Sequence, residues 1–237
     1  MASKLKIILL LLFLTVSGTI KAQVLISLLF GDKLNTEKIE FGLTGGMNRS
    51  YFNGYNGSEG LNNFNLGIYF HIMLKENSFI STGVLVKSNV GATGMPTYPL
   101  NDPDFDEVFE DGILTTKVNY FYVPIMYQQR INNRLLLEGG IQSGLRSKAF
   151  DYFNLESNGG DLEFRREVSD DFTRLDFGLV GGMGYKLKNK LKSMSVGVLY
   201  FYGIVDVKKN TDAMVNNSSL NFYLRIPIGV GSKDPKD

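Results

Sequence analysis

Residues 63–74, NFNLGIYFHIML, carry a large apolar side chain at every second position: Phe64, Leu66, Ile68, Phe70, Ile72 and Leu74. Asn65, Gly67, Tyr69, His71 and Met73 stand between them. A period of two puts these sets on opposite faces of a strand. The pattern recurs seven more times. Residues 38–49 align Ile39, Phe41, Leu43 and Met47, and residues 79–91 align Ile80, Val84, Val86 and Val90. Residues 116–130 align Phe121, Val123, Ile125 and Tyr127, although Tyr120, Tyr122 and Met126 make the other face almost as apolar. Residues 134–147 align Leu135, Leu137, Ile141 and Leu145, and residues 173–186 align Leu175, Phe177, Leu179, Met183 and Tyr185. Residues 193–206 align Met194, Val196, Val198, Tyr200 and Ile204, and residues 218–230 align Leu220, Phe222, Leu224, Ile226, Ile228 and Val230. Eight such segments predict eight strands, each longer than the usual five or six residues of a soluble strand.

The connections alternate in length. Tight links follow the second, fourth and sixth strands, as at Lys75-Glu76-Asn77-Ser78 and Ile131-Asn132-Asn133-Arg134. Long links, near 50–62, 92–115, 148–172 and 207–217, follow the odd ones and are rich in Gly, Asn, Asp and Ser. Short turns at one end and long loops at the other are the arrangement of an outer-membrane barrel. The fold expected is therefore all-β: an eight-stranded antiparallel up-and-down transmembrane β-barrel with short periplasmic turns and long extracellular loops.

Charge patterning decides which face meets lipid. The apolar sets hold no Lys, Arg, Asp or Glu, although 21% of the chain is charged. A Lys or Arg at mid-bilayer would cost about 2–4 kcal/mol. The opposite faces hold Glu40, Lys87, Glu138, Arg146, Arg174, Asp176, Lys186 and Arg225, with Asn48, Asn65, Asn89, Gln142, Asn221 and many glycines. Glycine weakens a wetted strand but makes room inside a crowded lumen. The apolar faces are thus expected to point into lipid. A soluble lipocalin-like barrel would show the same alternation with the faces reversed.

The first 22 residues read as a secretory signal peptide: Lys4 and Lys6, the apolar run Ile7 to Val16, then polar residues to Ala22. Residues 23–37 follow as a periplasmic segment in which Val24, Leu25, Leu28 and Leu29 suit a short amphipathic helix. The barrel is expected over 38–230 and a tail over 231–237. Removing Lys4, Lys6 and Lys21 takes the net charge from +1 to −2, which argues against a nucleic-acid partner. With no Cys in the chain, disulfides and thiol chemistry are excluded. No other long apolar run exists, so a helical membrane bundle is excluded as well.

Several phrases carry a family resemblance: FGLTGGMN, NYFYVPIMYQQR, LEGGIQSGL and DFGLVGGMGYKL, behind a leader ending in Ala22-Gln23. Together, from Glu37 to Val230, they resemble the PorT-like outer-membrane β-barrel family of Gram-negative bacteria. The resemblance implies an integral outer-membrane barrel. It also offers a functional lead, since the family's namesake is linked to type IX protein secretion.

Candidate chemistry is sparse. His71 is the only histidine; it reads either as a proton-handling residue or as a hydrogen-bonded lumen residue near the periplasmic turn. Glu138 reads either as a base or as half of an ion pair. The lumen charges Glu40, Lys87, Glu138, Arg146, Arg174, Asp176 and Arg225 are expected to form a paired network, with Arg146 and Arg174 meeting Asp176, and Arg225 facing Glu40 across the closing strands. Buried charges left unpaired cost several kcal/mol each. Eight strands leave an interior just wide enough for side chains, so a plugged lumen is expected rather than an open pore. NDPDFDEVFED, residues 101–111, is either a solvated acidic loop or a cation loop. Tyr51, Phe52, Tyr55, Tyr98, Phe105 and Phe109 suit either a loop recognition surface or an interfacial girdle. No catalytic set, metal set or cofactor motif stands out. The function expected is a non-enzymatic outer-membrane barrel that presents loops for binding or serves an envelope assembly such as type IX secretion, with lipid and envelope proteins as partners. A small gated pore and a membrane enzyme are the alternatives.

Overall fold

The computed structural model describes residues 35–55, 57–157, 160–190, 192–211 and 213–228. The expected signal peptide, residues 23–34, Val230 and the 231–237 tail lie outside them. Among the described residues nine strands form: β1 Ile39–Asn53, β2 Glu59–Lys75, β3 Ser78–Pro96, β4 Ile113–Ile131, β5 Leu135–Ser157, β6 Gly160–Glu167, β7 Leu175–Lys186, β8 Ser195–Gly203 and β9 Asn216–Pro227. A short helix, α1 (Pro103–Val108), lies between β3 and β4, and one 3-10 turn spans Ser169–Asp171. Every ladder is antiparallel. β1 pairs with both β2 and β9, and β4 pairs with β5, so eight strands close a ring. β6 lies outside that ring and pairs only with the far end of β5.

The ring answers the question of facing. Met47, Leu175 and Leu179 are 62%, 63% and 59% exposed, and Phe64, Leu66, Phe121, Ile125, Leu145, Met183 and Phe222 are exposed with them. Their inward neighbours Asn65, Tyr122, Met126, Leu136 and Val180 are buried. Apolar surface on this scale, girdling the whole wall, is far beyond the few-hundred-Å² patches that water tolerates on a soluble protein. Hydrocarbon is the solvent it fits. The lipocalin-like arrangement is thereby reversed. The ambiguous fourth segment resolves the same way: Phe121, Val123, Ile125 and Tyr127 face out, while Tyr120, Tyr122 and Met126 pack inside.

The turn between β4 and β5 is tight for a local reason. Asn132 and Asn133 adopt φ of 48° and 61°, the left-handed pair of a type I′ hairpin, which asparagine tolerates better than most residues. At the other end the strands overrun the bilayer. β7, β8 and β9 have 12, 9 and 12 residues, close to the roughly 9–11 needed to cross. β3, β4 and β5 have 19, 19 and 23. One side of the barrel therefore continues outward as a sheet, edged by β6.

Two expectations are corrected here. Residues 148–172 are not a loop: β5 and β6 form a hairpin there, with Phe150 paired to Glu167 and Phe153 to Phe164. Aromatic residues on both faces, Phe150 and Tyr152 against Phe153, hide its alternation. In β3, Val90 does not share the outer face with Val84 and Val86. Leu66 pairs with Lys87 while Gly67 pairs with Leu85, so Val86 is an extra residue and the register slips. Such a bulge flips every later side chain. Val90 turns inward, 1% exposed, and Lys87, expected in the lumen, lies exposed on the outer wall.

Candidate functional site

The lumen is filled at two levels by different chemistry. The periplasmic half holds a buried ionic cluster. Arg225 grips Glu138 with both Nη atoms, at 2.7 and 2.8 Å. Tyr223 Oη donates to the same carboxylate at 2.7 Å, and Gln128 Nε2 donates at 3.0 Å. Beside this pair, Glu40 accepts from Tyr69 Oη at 2.8 Å and lies 3.2 Å from His71 Nδ1 and 3.5 Å from Lys186 Nζ. Two carboxylates thus face two cations, and hydrogen bonds take up the remaining carboxylate lone pairs. That is the condition under which buried charge is tolerable. The guanidinium also lies 4.1 Å from the Tyr223 ring centroid.

The pairing differs from the one expected. Arg225 takes Glu138 rather than Glu40, and Glu40 takes His71 and Lys186. Alternation placed these groups inside but could not say which strands' residues meet across the lumen. His71 is 3% exposed, with Nδ1 on Glu40 and Nε2 turned to Arg225 Nη1 at 3.5 Å. Ser81 is its partner across the β2–β3 ladder, yet the ring aims at charged groups and not at that hydroxyl. A nucleophile–base geometry is not what these atoms form.

The extracellular half is dominated by an apolar cluster. Phe52, Val90, Met95, Phe109, Leu114, Tyr120, Tyr122, Phe153, Phe172 and Phe201 belong to one buried cluster. Phe52 stacks on Phe172 with centroids 5.9 Å apart, and Tyr122 meets Phe201 at 5.6 Å. Loop residues close the top: Val168, Phe172, Val207 and Val215 are buried with the strands, and Val207 N–H bonds the Val215 carbonyl at 2.8 Å. Between the halves lies a cavity of about 50 Å³, bounded by Asn65, Gln142 and Tyr223 on the polar side and Leu85, Met126 and Val180 on the apolar side. It is well below the ~300–1,000 Å³ of ordinary ligand pockets.

At the junction Asp176 accepts from Tyr122 Oη at 2.6 Å and Asn217 Nδ2 at 2.8 Å. The expected meeting with two arginines is not formed. Arg146 is half-buried and donates from Nε to the Thr173 carbonyl at 3.2 Å, and Arg174 is exposed at the rim before β7. Rim position, where water reaches the guanidinium, removes the need for a carboxylate. Higher up β5, above the apolar band, Asp151 accepts from Thr116 Oγ1 at 2.5 Å and Tyr98 Oη at 3.0 Å. Burial pushes its carboxyl above the ordinary aspartate range, against those two hydrogen bonds and the charge of Lys208.

The aromatic loop residues divide. Phe52 and Phe109 are 3% and 5% exposed and belong to the plug, so they offer no recognition surface. Tyr98 packs edge-on against Phe153, and Tyr55 lies under Lys208 at 4.2 Å. Tyr51 accepts from Arg49 Nε at 2.9 Å on the outer wall. Phe105 alone of the six is openly exposed, on α1. The acidic run around it is partly structural: Asp102 caps α1 by accepting from Asp104 N–H, and Asp106 Oδ1 accepts from Leu100 N–H at 2.5 Å. Tyr69, Gln128 and Tyr223, the neutral partners of the ionic cluster, were not singled out by sequence. Their signal is inward parity: Tyr223 shares β9 with Arg225, Tyr69 shares β2 with His71, and Gln128 on β4 pairs in register with Glu138 on β5.

The family model of the outer membrane protein beta-barrel domain matches residues 22–209. No curated protein matches the chain. Among solved structures, the chain is similar to the attachment invasion locus protein Ail of Yersinia pestis, at 13% identity and a TM-score of 0.43, covering 80% of this chain and 98% of that one. Neisserial surface protein A is similar at 12% identity and a TM-score of 0.42, covering 80% and 99%. OprG of Pseudomonas aeruginosa is similar at 12% identity and a TM-score of 0.31, covering 80% and 93%.

Proposed function

From the premise that the chain belongs to the outer membrane protein beta-barrel domain family, and is thus an integral outer-membrane protein, we propose that it is a non-catalytic recognition barrel. In this reading the barrel anchors an extracellular surface for a partner. The observation that carries it is the contrast between a filled lumen and a projecting wall. Ion pairs and aromatic packing occupy the inside, so conduction is not what the interior is built for. Meanwhile β3, β4, β5 and β6 extend beyond the membrane and end in a tip where Phe105, Val108 and Leu162 are exposed. Asp102, Asp104, Glu107, Glu110 and Asp111 surround them, exposed as well. An apolar patch rimmed by acids suits a partner with an apolar anchor and basic flanks.

Service to an envelope assembly, type IX secretion included, is the same reading with the partner specified. It is supported by the resemblance of the strand phrases to the PorT-like family. A photo-crosslinking residue at Val108 in intact cells tests the proposal. A discrete adduct, lost when residues 101–111 are replaced by Gly and Ser, is expected. Steady single-channel conductance from the purified chain, or no adduct from any tip position, would count against it.

A further inference from the structure

The outer wall above the lipid-facing band is not neutral. On the outward side of the β4–β5–β6 extension, Lys117 Nζ lies 4.5 Å from the centroid of Tyr152, and Arg165 lies 4.9 Å from that of Phe150. Lys148 Nζ is 5.9 Å from the same Phe150 ring. Strand register gathers them: Lys117 pairs with Phe150, Asn119 with Lys148, and Tyr152 with Arg165. Two acids share this face: Glu167 is engaged by Lys148 at 3.3 Å and by Ser169 Oγ at 3.0 Å, and Glu163 stands one step further along β6, paired with Asn154. Below this cluster, Lys87 is exposed at the level where the apolar band ends, turned outward through the β3 bulge. A denser group of acids lies apart from this face, at the tip around α1.

We propose that this face, with Lys117, Lys148 and Arg165 set on Phe150 and Tyr152 above Lys87, docks the phosphate-bearing headgroup of an outer-leaflet lipid. Three features select a lipid as occupant. The patch looks sideways along the membrane, not outward toward the medium. It stands above the apolar band that acyl chains cover, with Asn119 and Ser147 between them. Its four cations, Lys87 included, outnumber the two acids Glu163 and Glu167, leaving a charge opposite to that of a phosphate headgroup, and cations near such a surface are strongly attracted to it. Phe150 and Tyr152 supply the amphipathic aromatic surface typical of a membrane interface, and they hold the cations extended. The inference rests on the outer-membrane location, and it is independent of whether the tip binds a partner.

The test uses the full chain refolded into phosphatidylcholine nanodiscs doped with bis-phosphorylated lipid A, with retained lipid A measured by mass spectrometry after detergent extraction. Wild type should enrich lipid A over bulk lipid and lose that enrichment with rising salt. The triple variant Lys117→Gln, Lys148→Gln, Arg165→Gln should retain roughly tenfold less. A control triple variant on the periplasmic turn, Lys188→Gln, Lys190→Gln, Lys192→Gln, should match wild type. Equal retention by both triple variants, or no enrichment by wild type, overturns the proposal. So does displacement of lipid A by inorganic phosphate alone, which would make this a free-anion site. Heat-modifiability on a gel verifies that each variant is folded, and the salt dependence of wild type decides the matter if the triple variant is not.

Discussion

The two halves of the lumen solve one packing problem with opposite materials. On the periplasmic side the turns are too short to contribute, so inward side chains of the wall must fill the bore alone. They do so with Arg225–Glu138 and Glu40–Lys186, whose long side chains reach across a gap that shorter apolar ones would leave open. On the extracellular side the loops fold back and bring Phe109, Phe172 and Val215 into the bore, and aromatic volume does the filling. Where the chain can supply loop residues the interior is apolar; where it cannot, paired charge takes over. The first half is fragile to single substitutions that break a pair, the second to those that open a void.

The comparison is broken most sharply at Glu138. Glu138→Ala strands Arg225 in the dry half and should destabilise by ~3–5 kcal/mol, read as a lower urea midpoint for the barrel refolded in micelles. Glu138→Leu combined with Arg225→Met should recover most of that loss. Next in size, Phe172→Ala opens a void in the plug, at a cost of about 3 kcal/mol. Its signature should be regional: proteolysis of the extracellular segments should rise while the heat-modifiable band of the membrane ring persists. If both regions fail together, the halves are one cooperative unit.

Smaller effects sharpen the boundary. Gly46 lies in β1 where an added Cβ would collide with the Phe222 carbonyl on β9. Gly46→Val should therefore cost about 1–3 kcal/mol by overpacking at the closing seam, without altering protease sensitivity of the loops. Asp151 gives the smallest effect, and one with a sign. Its carboxyl binds protons more tightly folded than unfolded, so its contribution is fully present below the ordinary aspartate value of 3.8 and is lost as pH rises from there through its raised folded value. Asp151→Asn mimics the protonated acid: its oxygen accepts from one of the Thr116 and Tyr98 hydroxyls and its amide donates to the other. The variant should match wild type in acid and be the more stable of the two at neutral pH, by denaturant titration at both values. A variant less stable at neutral pH would mean that the carboxylate is held by its charge.

Much of the architecture was legible because period two is a local property. Phe64 to Leu74 declared a strand, and the missing charges on that face declared lipid, before any contact was known. The turns at Asn132 and Asn133 were equally local. The hairpin at 148–167 was not legible, because aromatics on both faces erased the alternation. The bulge at Val86 was not legible either, because one inserted residue leaves no mark in composition while reversing Lys87 and Val90. The plug had a partial signal in the apolar inner face of β4, at Tyr120, Tyr122 and Met126. Phe52 and Phe109 looked like surface because loop residues carry no periodicity to say which way they turn.

Taken alone, the order of residues determined the strands, their number in the ring, the face given to hydrocarbon and the end given to long loops. Each of these follows from the two-residue repeat of an extended chain and the cost of charge in lipid. Only the closed ring decided that Glu138 belongs to Arg225 and Glu40 to Lys186, that loop aromatics cap the bore, and that Lys117, Lys148 and Arg165 share one outer face. Those are meetings between distant strands, set by register, shear and bulges, and register is a property of pairs of strands that no single strand carries.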